Sequence, residues 1–117
     1  MSQGFTSSRF PYLPLLVSVR QRSEAVEALV DTGFDGDVSV PPGTVTAGEP
    51  PDGYSPWILA DGSEVLTPAY DGTVQLGSFA RFPAIVIALG DEPVPGRGVT
   101  DRFRVILEHG RRLLIEP

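Results

Sequence analysis

Thirteen glycines and twelve prolines in a chain of 117 residues restrict its fold more than any other feature. Proline removes a backbone donor and glycine weakens regular elements from within, so long helices do not survive where the two keep recurring. Here they fall as punctuation between short apolar runs, the pattern of an all-β domain with many turns. Residues 14–19 read as a first strand, 21–24 as a polar turn, and 25–30 as a second, partly alternating strand. Residues 38–40 make a short third strand stopped by Pro41-Pro42, and residues 41–56 are an irregular loop without helical periodicity. Residues 57–60 and 63–66 flank Asp61-Gly62, a two-residue hairpin signal in which both turn positions tolerate positive φ. Residues 69–76 and 82–89 pair around Gly77-Ser78, residues 90–97 form a Gly/Pro loop, and residues 99–103 suit a short helical turn. Residues 104–107 and 111–115 close the chain as a hairpin over His109-Gly110. The expectation is a single all-β domain spanning 1–117, a closed or partly closed barrel with at most one short helix. Residues 1–11 would be an arm or disordered.

Hydrophobic residues make up 41% of the chain, enough for a folded core and too many for a disordered segment. The net charge is −6, which argues against nucleic acid as a partner, because phosphate binding wants a basic face. No stretch approaches the apolar length of a membrane span. The opening residues lack the basic-then-apolar order of a signal peptide, so a cytoplasmic protein is expected. Without cysteine there is neither a disulfide framework nor a thiolate metal site.

The same inventory removes several catalytic classes. His109 is the single histidine; beside Gly110 it reads as a turn residue, and a His-dependent triad would have to be built on it. There is no Gly-x-Ser-x-Gly and no His-Glu-x-x-His. Gly96-Arg97-Gly98 lacks the preceding strand and following long helix of a dinucleotide loop. The arginines at 102, 104, 111 and 112 are expected on a solvated hairpin face. The remaining chemistry is acidic. The run Ala28-Leu29-Val30-Asp31-Thr32-Gly33 places an acid at the end of what reads as a buried strand, where desolvation makes ionisation costly unless the carboxylate is paired or used. Asp-Thr-Gly occurs once; Tyr70-Asp71-Gly72-Thr73 lacks the preceding apolar pair and reads as strand or turn.

Ala28-Leu29-Val30-Asp31-Thr32-Gly33-Phe34-Asp35-Gly36, an apolar pair leading into Asp-Thr-Gly, is followed by the hairpin Ala60-Asp61-Gly62-Ser63-Glu64-Val65. Further on come Gly90-Asp91-Glu92-Pro93-Val94-Pro95-Gly96, then Arg97, and the closing segment from Asp101 to Pro117. In these elements and their order the chain resembles the single-domain, retroviral-like aspartic proteases, particularly their small bacterial and archaeal relatives. The resemblance covers most of residues 12–117. It implies an aspartic endopeptidase with no cofactor and no metal, acting on a peptide or protein substrate. It also implies a hairpin flap whose tip, Ala60, Asp61, Gly62 and Ser63, closes over substrate. Gly96 and Arg97 would belong to a segment crossing behind the active-site loop, with Arg97 paired to Asp35.

Carboxylate catalysis of peptide hydrolysis needs two acids sharing one proton. With one Asp-Thr-Gly per chain, the second Asp31 is expected from another copy in a two-fold homodimer. Thr32 would then bond across the dimer beneath the acids, as the resemblance implies, although a β-branched strand residue is its plainer reading. Gly33 permits the close turn and can direct its N–H at the carboxylate. Trp57 reads as a core or flap-base residue. Two departures stand out: Pro95 cannot donate to a ladder, and Gly98 and Val99 replace a polar residue and a leucine. They predict a distorted crossing segment and keep open a protease-like dimer that grips extended peptides or a partner protein without cutting. A third reading is a plain interaction barrel in which Asp31 is a satisfied strand-end acid.

Overall fold

A computed structural model describes residues 3–5 and 9–117. Ten strands and one helical turn follow in order: β1 (Gln3–Phe5), β2 (Tyr12–Val19), β3 (Arg22–Leu29), β4 (Val38–Val40), β5 (Gly53–Ile58), β6 (Glu64–Leu76), β7 (Phe82–Ala88), β8 (Val94–Pro95), α1 (Arg97–Thr100), β9 (Arg104–Glu108) and β10 (Arg112–Glu116). The all-β expectation holds. A seven-stranded sheet runs β3-β2-β6-β7-β4-β8 with β5 paired to β6, and a three-stranded sheet runs β1-β10-β9. No ladder joins the outer strands β3 and β8, so the expected closed barrel is not found; one backbone bond, Leu29 N–H to the Pro93 carbonyl at 2.9 Å, links their ends. Of the expected N-terminal arm, β1 adds to the C-terminal strand; residues 1, 2 and 6–8 lie outside the described residues. No helix among those described is long and apolar enough to cross a membrane.

The period-two pattern decides which faces are buried. On β2, Leu13, Leu15, Val17 and Val19 point into the core, joined by Val38 and Val40 of β4, Val74 and Leu76 of β6, and Val86 of β7. Leu113 and Ile115 of β10 enter the same core and attach the small sheet to the large one. Each such side chain contributes about 1.5–3 kcal/mol on burial. Strand β3 begins three residues before the expected position, because the polar run Arg22-Ser23-Glu24 pairs with β2 while remaining exposed. Strand β6 runs unbroken through Pro68, which pairs with Tyr54 of β5 just before the β7 ladder begins at Ala69. The helical turn sits two residues earlier than the spacing predicts.

Strand β4 fixes the site. It lies between β7, to which it is parallel (Val38 opposite Val86), and β8, to which it is antiparallel (Val38 opposite Pro95). The loop leading into β4, residues 30–37, therefore emerges where strands on both sides can hold it.

Candidate active-site loop, crossing segment and flap

The chain leaves β3 through Asp31, whose Oδ1 accepts a hydrogen bond from the Gly33 N–H at 2.8 Å, while the Asp31 carbonyl accepts from the Phe34 N–H at 3.3 Å. This is an Asx turn, the local reason an aspartate suits a strand exit. Asp31, Thr32 and Gly33 are all exposed. The expected burial of the acid is therefore absent in the protomer: Ala28 is fully buried, but the strand surfaces before the carboxylate is reached.

Behind this turn the crossing segment grips the second half of the loop by main-chain groups. Gly96 N–H donates to the Asp37 carbonyl (2.9 Å), Arg97 N–H to the Phe34 carbonyl (2.8 Å) and Gly98 N–H to the Gly36 carbonyl (3.0 Å). Glycine at 96 is dictated by contact, since a Cβ there would stand 2.3 Å from the Gly36 carbonyl oxygen and 2.6 Å from that of Phe34. The distortion predicted from Pro95 does not arise. Strand β8 is the outer strand of its sheet, where a missing donor is tolerated. The predicted Asp35–Arg97 ion pair does not form; both side chains are exposed, and Arg97 acts through its backbone instead. The entry to the segment is held by Glu92, which accepts from the Tyr12 hydroxyl at 2.5 Å. That bond is the main cause raising the Tyr12 phenol above its ordinary value.

The flap hairpin is present with a different turn. Ile58 pairs with Glu64, the Leu59 N–H donates to the Ser63 carbonyl and the Gly62 N–H to the Leu59 carbonyl. The tip is thus a three-residue loop, Ala60-Asp61-Gly62, in which Gly62 alone takes positive φ (+86°). A two-residue turn would have needed Asp61 there as well, and the αL-glycine bulge removes that demand. Asp61 Oδ1 accepts from the Ser63 hydroxyl (2.6 Å) and N–H (2.9 Å). These bonds hold the Asp61 carboxyl below its usual value. Ala60, Asp61, Gly62 and the following Ser63 are all exposed.

Flap and loop meet at an aromatic pair, Phe34 and Trp57, edge to face at 5.1 Å. Gly36 makes room for it, because a Cβ there would reach the Phe34 ring at 2.5 Å. The pair borders a cavity of about 200 Å³ with Gly36, Asp37, Val38, Ser55, Ile85 and Ile87. A second cavity, of about 320 Å³, shares Asp37 and Ile85. Sequence reasoning missed these wall residues: Ile85 reads as one alternating strand position among many, and Asp37 carries no motif. Trp57 sits at the flap base, and its Nε1 is the one buried side-chain polar atom among the described residues without a hydrogen-bond partner. Elsewhere the expected solvated arginines are partly engaged: Arg102 stacks on Phe82 at 4.2 Å and Arg112 pairs with Glu108 at 2.7 Å. Among the described residues no three His, Asp or Glu side chains gather as a metal site needs.

No family model, curated protein or solved structure matches this chain.

Proposed function

We propose that this chain is an aspartic endopeptidase of retroviral-like type, working as a homodimer with one Asp31 from each copy. The observation that carries the reading is the braced turn. Asp31 stands exposed with Gly33 N–H on its carboxylate, on a loop held from behind by three main-chain hydrogen bonds and packed through Phe34 on the base of a hairpin. In the proposed reaction the two carboxylates share one proton. The ionised one takes a proton from water as the water oxygen attacks the peptide carbonyl carbon, and the protonated one donates to the carbonyl oxygen. Collapse of the tetrahedral intermediate breaks the C–N bond, with a proton passing to the leaving amine. An extended peptide would lie between loop and flap, adding main-chain bonds in the manner of a strand. No cofactor enters this scheme, and the acidic chain would act in the cytoplasm.

The test is hydrolysis of a degenerate peptide library by the purified protein and by Asp31→Asn. The exposed side chain at 31 leaves folding intact in the variant, so the expected result is cleavage by the parent alone, at a rate falling more steeply than enzyme concentration on dilution. Equal cleavage by both proteins ends the proposal, as does an active species that sediments as a monomer. A peptide bound in the cleft and left intact for hours would support the non-cleaving peptide binder instead.

A further inference from the structure

The carboxylate of Asp37 occupies a place that no reading of the sequence assigns to it. Pairing of β4 with β7 starts at Val38 opposite Val86, so the Ile85 N–H, one residue earlier, has no strand partner on that side. Asp37 Oδ2 accepts it at 2.7 Å. The other oxygen lies against Gly98, where a Cβ would stand 1.8 Å from Oδ1 and 3.0 Å from the Asp37 Cα. The main-chain carbonyl of the same residue takes the Gly96 N–H. One residue of the active-site loop thus touches both the crossing segment and β7, and Ile85 at the far end of this contact walls both cavities.

We infer that Asp37 is a positioning residue, a pin that fixes Ile85 and with it the wall of the cleft, and that Gly98 is glycine because this carboxylate fills the space of its side chain. The inference rests on the proposed function, with the cavities walled by Asp37 and Ile85 taken as the place where the peptide binds. It also resolves the departure at Gly98: the polar group expected at 98 is supplied by Asp37 of the same chain. Asp37 does not touch the reacting atoms, so its loss should act on substrate binding and leave the ionisations of the Asp31 pair where they were. Any carboxamide or carboxylate oxygen at that point can accept the Ile85 N–H; a methyl group cannot.

Four proteins separate the pin from mere packing: Asp37→Ala, Asp37→Asn, Gly98→Ala and the double variant Asp37→Ala/Gly98→Ala. Hydrogen exchange at the Ile85 amide and thermal melting are read on all four, and peptide hydrolysis wherever the parent cleaves. Asp37→Ala and Gly98→Ala should each speed Ile85 exchange about tenfold, the loss of one hydrogen-bonded partner. Asp37→Asn should stay near the parent. Gly98→Ala should lower the melting temperature far less when Asp37 is already alanine, since the closest clash has gone. In hydrolysis, Asp37→Ala should raise KM about tenfold with the pH profile of kcat unmoved, and Asp37→Asn should restore KM. Parental Ile85 exchange in Asp37→Ala, or additive melting losses in the double variant, overturns the pin. A shifted kcat profile or an unchanged KM overturns its link to the cleft. A parent that cleaves nothing defeats the protease reading alone, because exchange and melting still decide the pin.

Discussion

Gly96→Ala tests the bracing of the candidate site most directly, because the atoms it disturbs are the carbonyls that carry the brace. Its Cβ would fall 2.3 Å from the Gly36 oxygen and 2.6 Å from the Phe34 oxygen. Ordinary contact requires the segment to retreat by roughly 1 Å. These same oxygens accept the Gly98 and Arg97 N–H groups at 3.0 and 2.8 Å, and a retreat of that size carries both bonds beyond useful length. At about 1 kcal/mol per bond, with a further charge for groups left buried and unpaired, the loss comes to about 2–4 kcal/mol. Keeping the bonds and absorbing the overlap as strain costs about 1–3 kcal/mol, so neither route is cheap. For a domain of this size the melting temperature should fall by roughly 8–15 °C.

Calorimetry on the purified variant measures this fall, with Gly53→Ala as the control. Gly53 also lies in a sheet, but nothing stands within 4 Å of a Cβ built there; its replacement should change stability by less than about 0.5 kcal/mol. If Gly96→Ala melts within about 2 °C of the parent, the crossing segment is not gripped as described, and the rigidity claimed for the Asp31 loop loses its basis.

Arg97→Ala should leave stability within about 0.5 kcal/mol, because the exposed side chain is not what holds Phe34. Arg97→Pro keeps a residue suited to the first helical position, after an extended Gly96 (φ −99°, ψ −167°) that a following proline accepts. It should therefore cost about 1–2 kcal/mol by calorimetry, through loss of the N–H that reaches Phe34. Trp57→Phe removes the unpartnered Nε1–H while keeping a ring against Phe34, so urea unfolding should show a change within about 1 kcal/mol. Trp57→Ala, which leaves a hole beneath the flap, should cost about 3 kcal/mol. Because Asp61 is held below its ordinary value of 3.8, its turn contributes stability that is complete above that pH and is lost as pH falls through the lowered value. A carboxyl NMR titration should find Asp61 returning toward 3.8 in Ser63→Ala, which removes the hydroxyl donor; an unmoved titration would show that the hydroxyl is not the cause.

What was legible in the sequence is what depends on pattern along one strand. The apolar run 14–19 marks β2, which extends back to Tyr12, and Val38-Ser39-Val40 before two prolines gives β4 to the residue. What was not legible depends on partners distant in sequence. Arg22-Ser23-Glu24 looks like a turn until β2 is seen to need a neighbour. Pro95 looks disruptive until β8 is known to be an outer strand. The flap turn is ambiguous in sequence because Asp-Gly fits two hairpin geometries, and the hydrogen bonds from Leu59 and Gly62 that separate them depend on the strand register. Around the candidate site, the resemblance points to Asp35 as the partner of Arg97, and no motif points to Asp37. Asp37 is nonetheless the acid that reaches another element, 48 residues away at Ile85.

The two halves of the 31–37 loop are treated differently by the fold, and this asymmetry bears on whether one copy could work alone. Phe34, Gly36 and Asp37 are bonded to the crossing segment and Phe34 packs on the flap base, whereas Asp31, Thr32 and Gly33 are exposed. Hydrolysis by carboxylates needs a second acid within hydrogen-bond reach and a site from which bulk water is excluded. A braced loop with an uncovered acidic turn meets neither need by itself, but it holds that turn in a fixed attitude. A second copy docked about a two-fold axis through the turn would bring the matching acid and cover both turns at once. On the proposed reading, then, the exposure of Asp31 in the protomer is a consequence of dividing one active site between two chains, and the main-chain brace lets each half keep its shape before they meet.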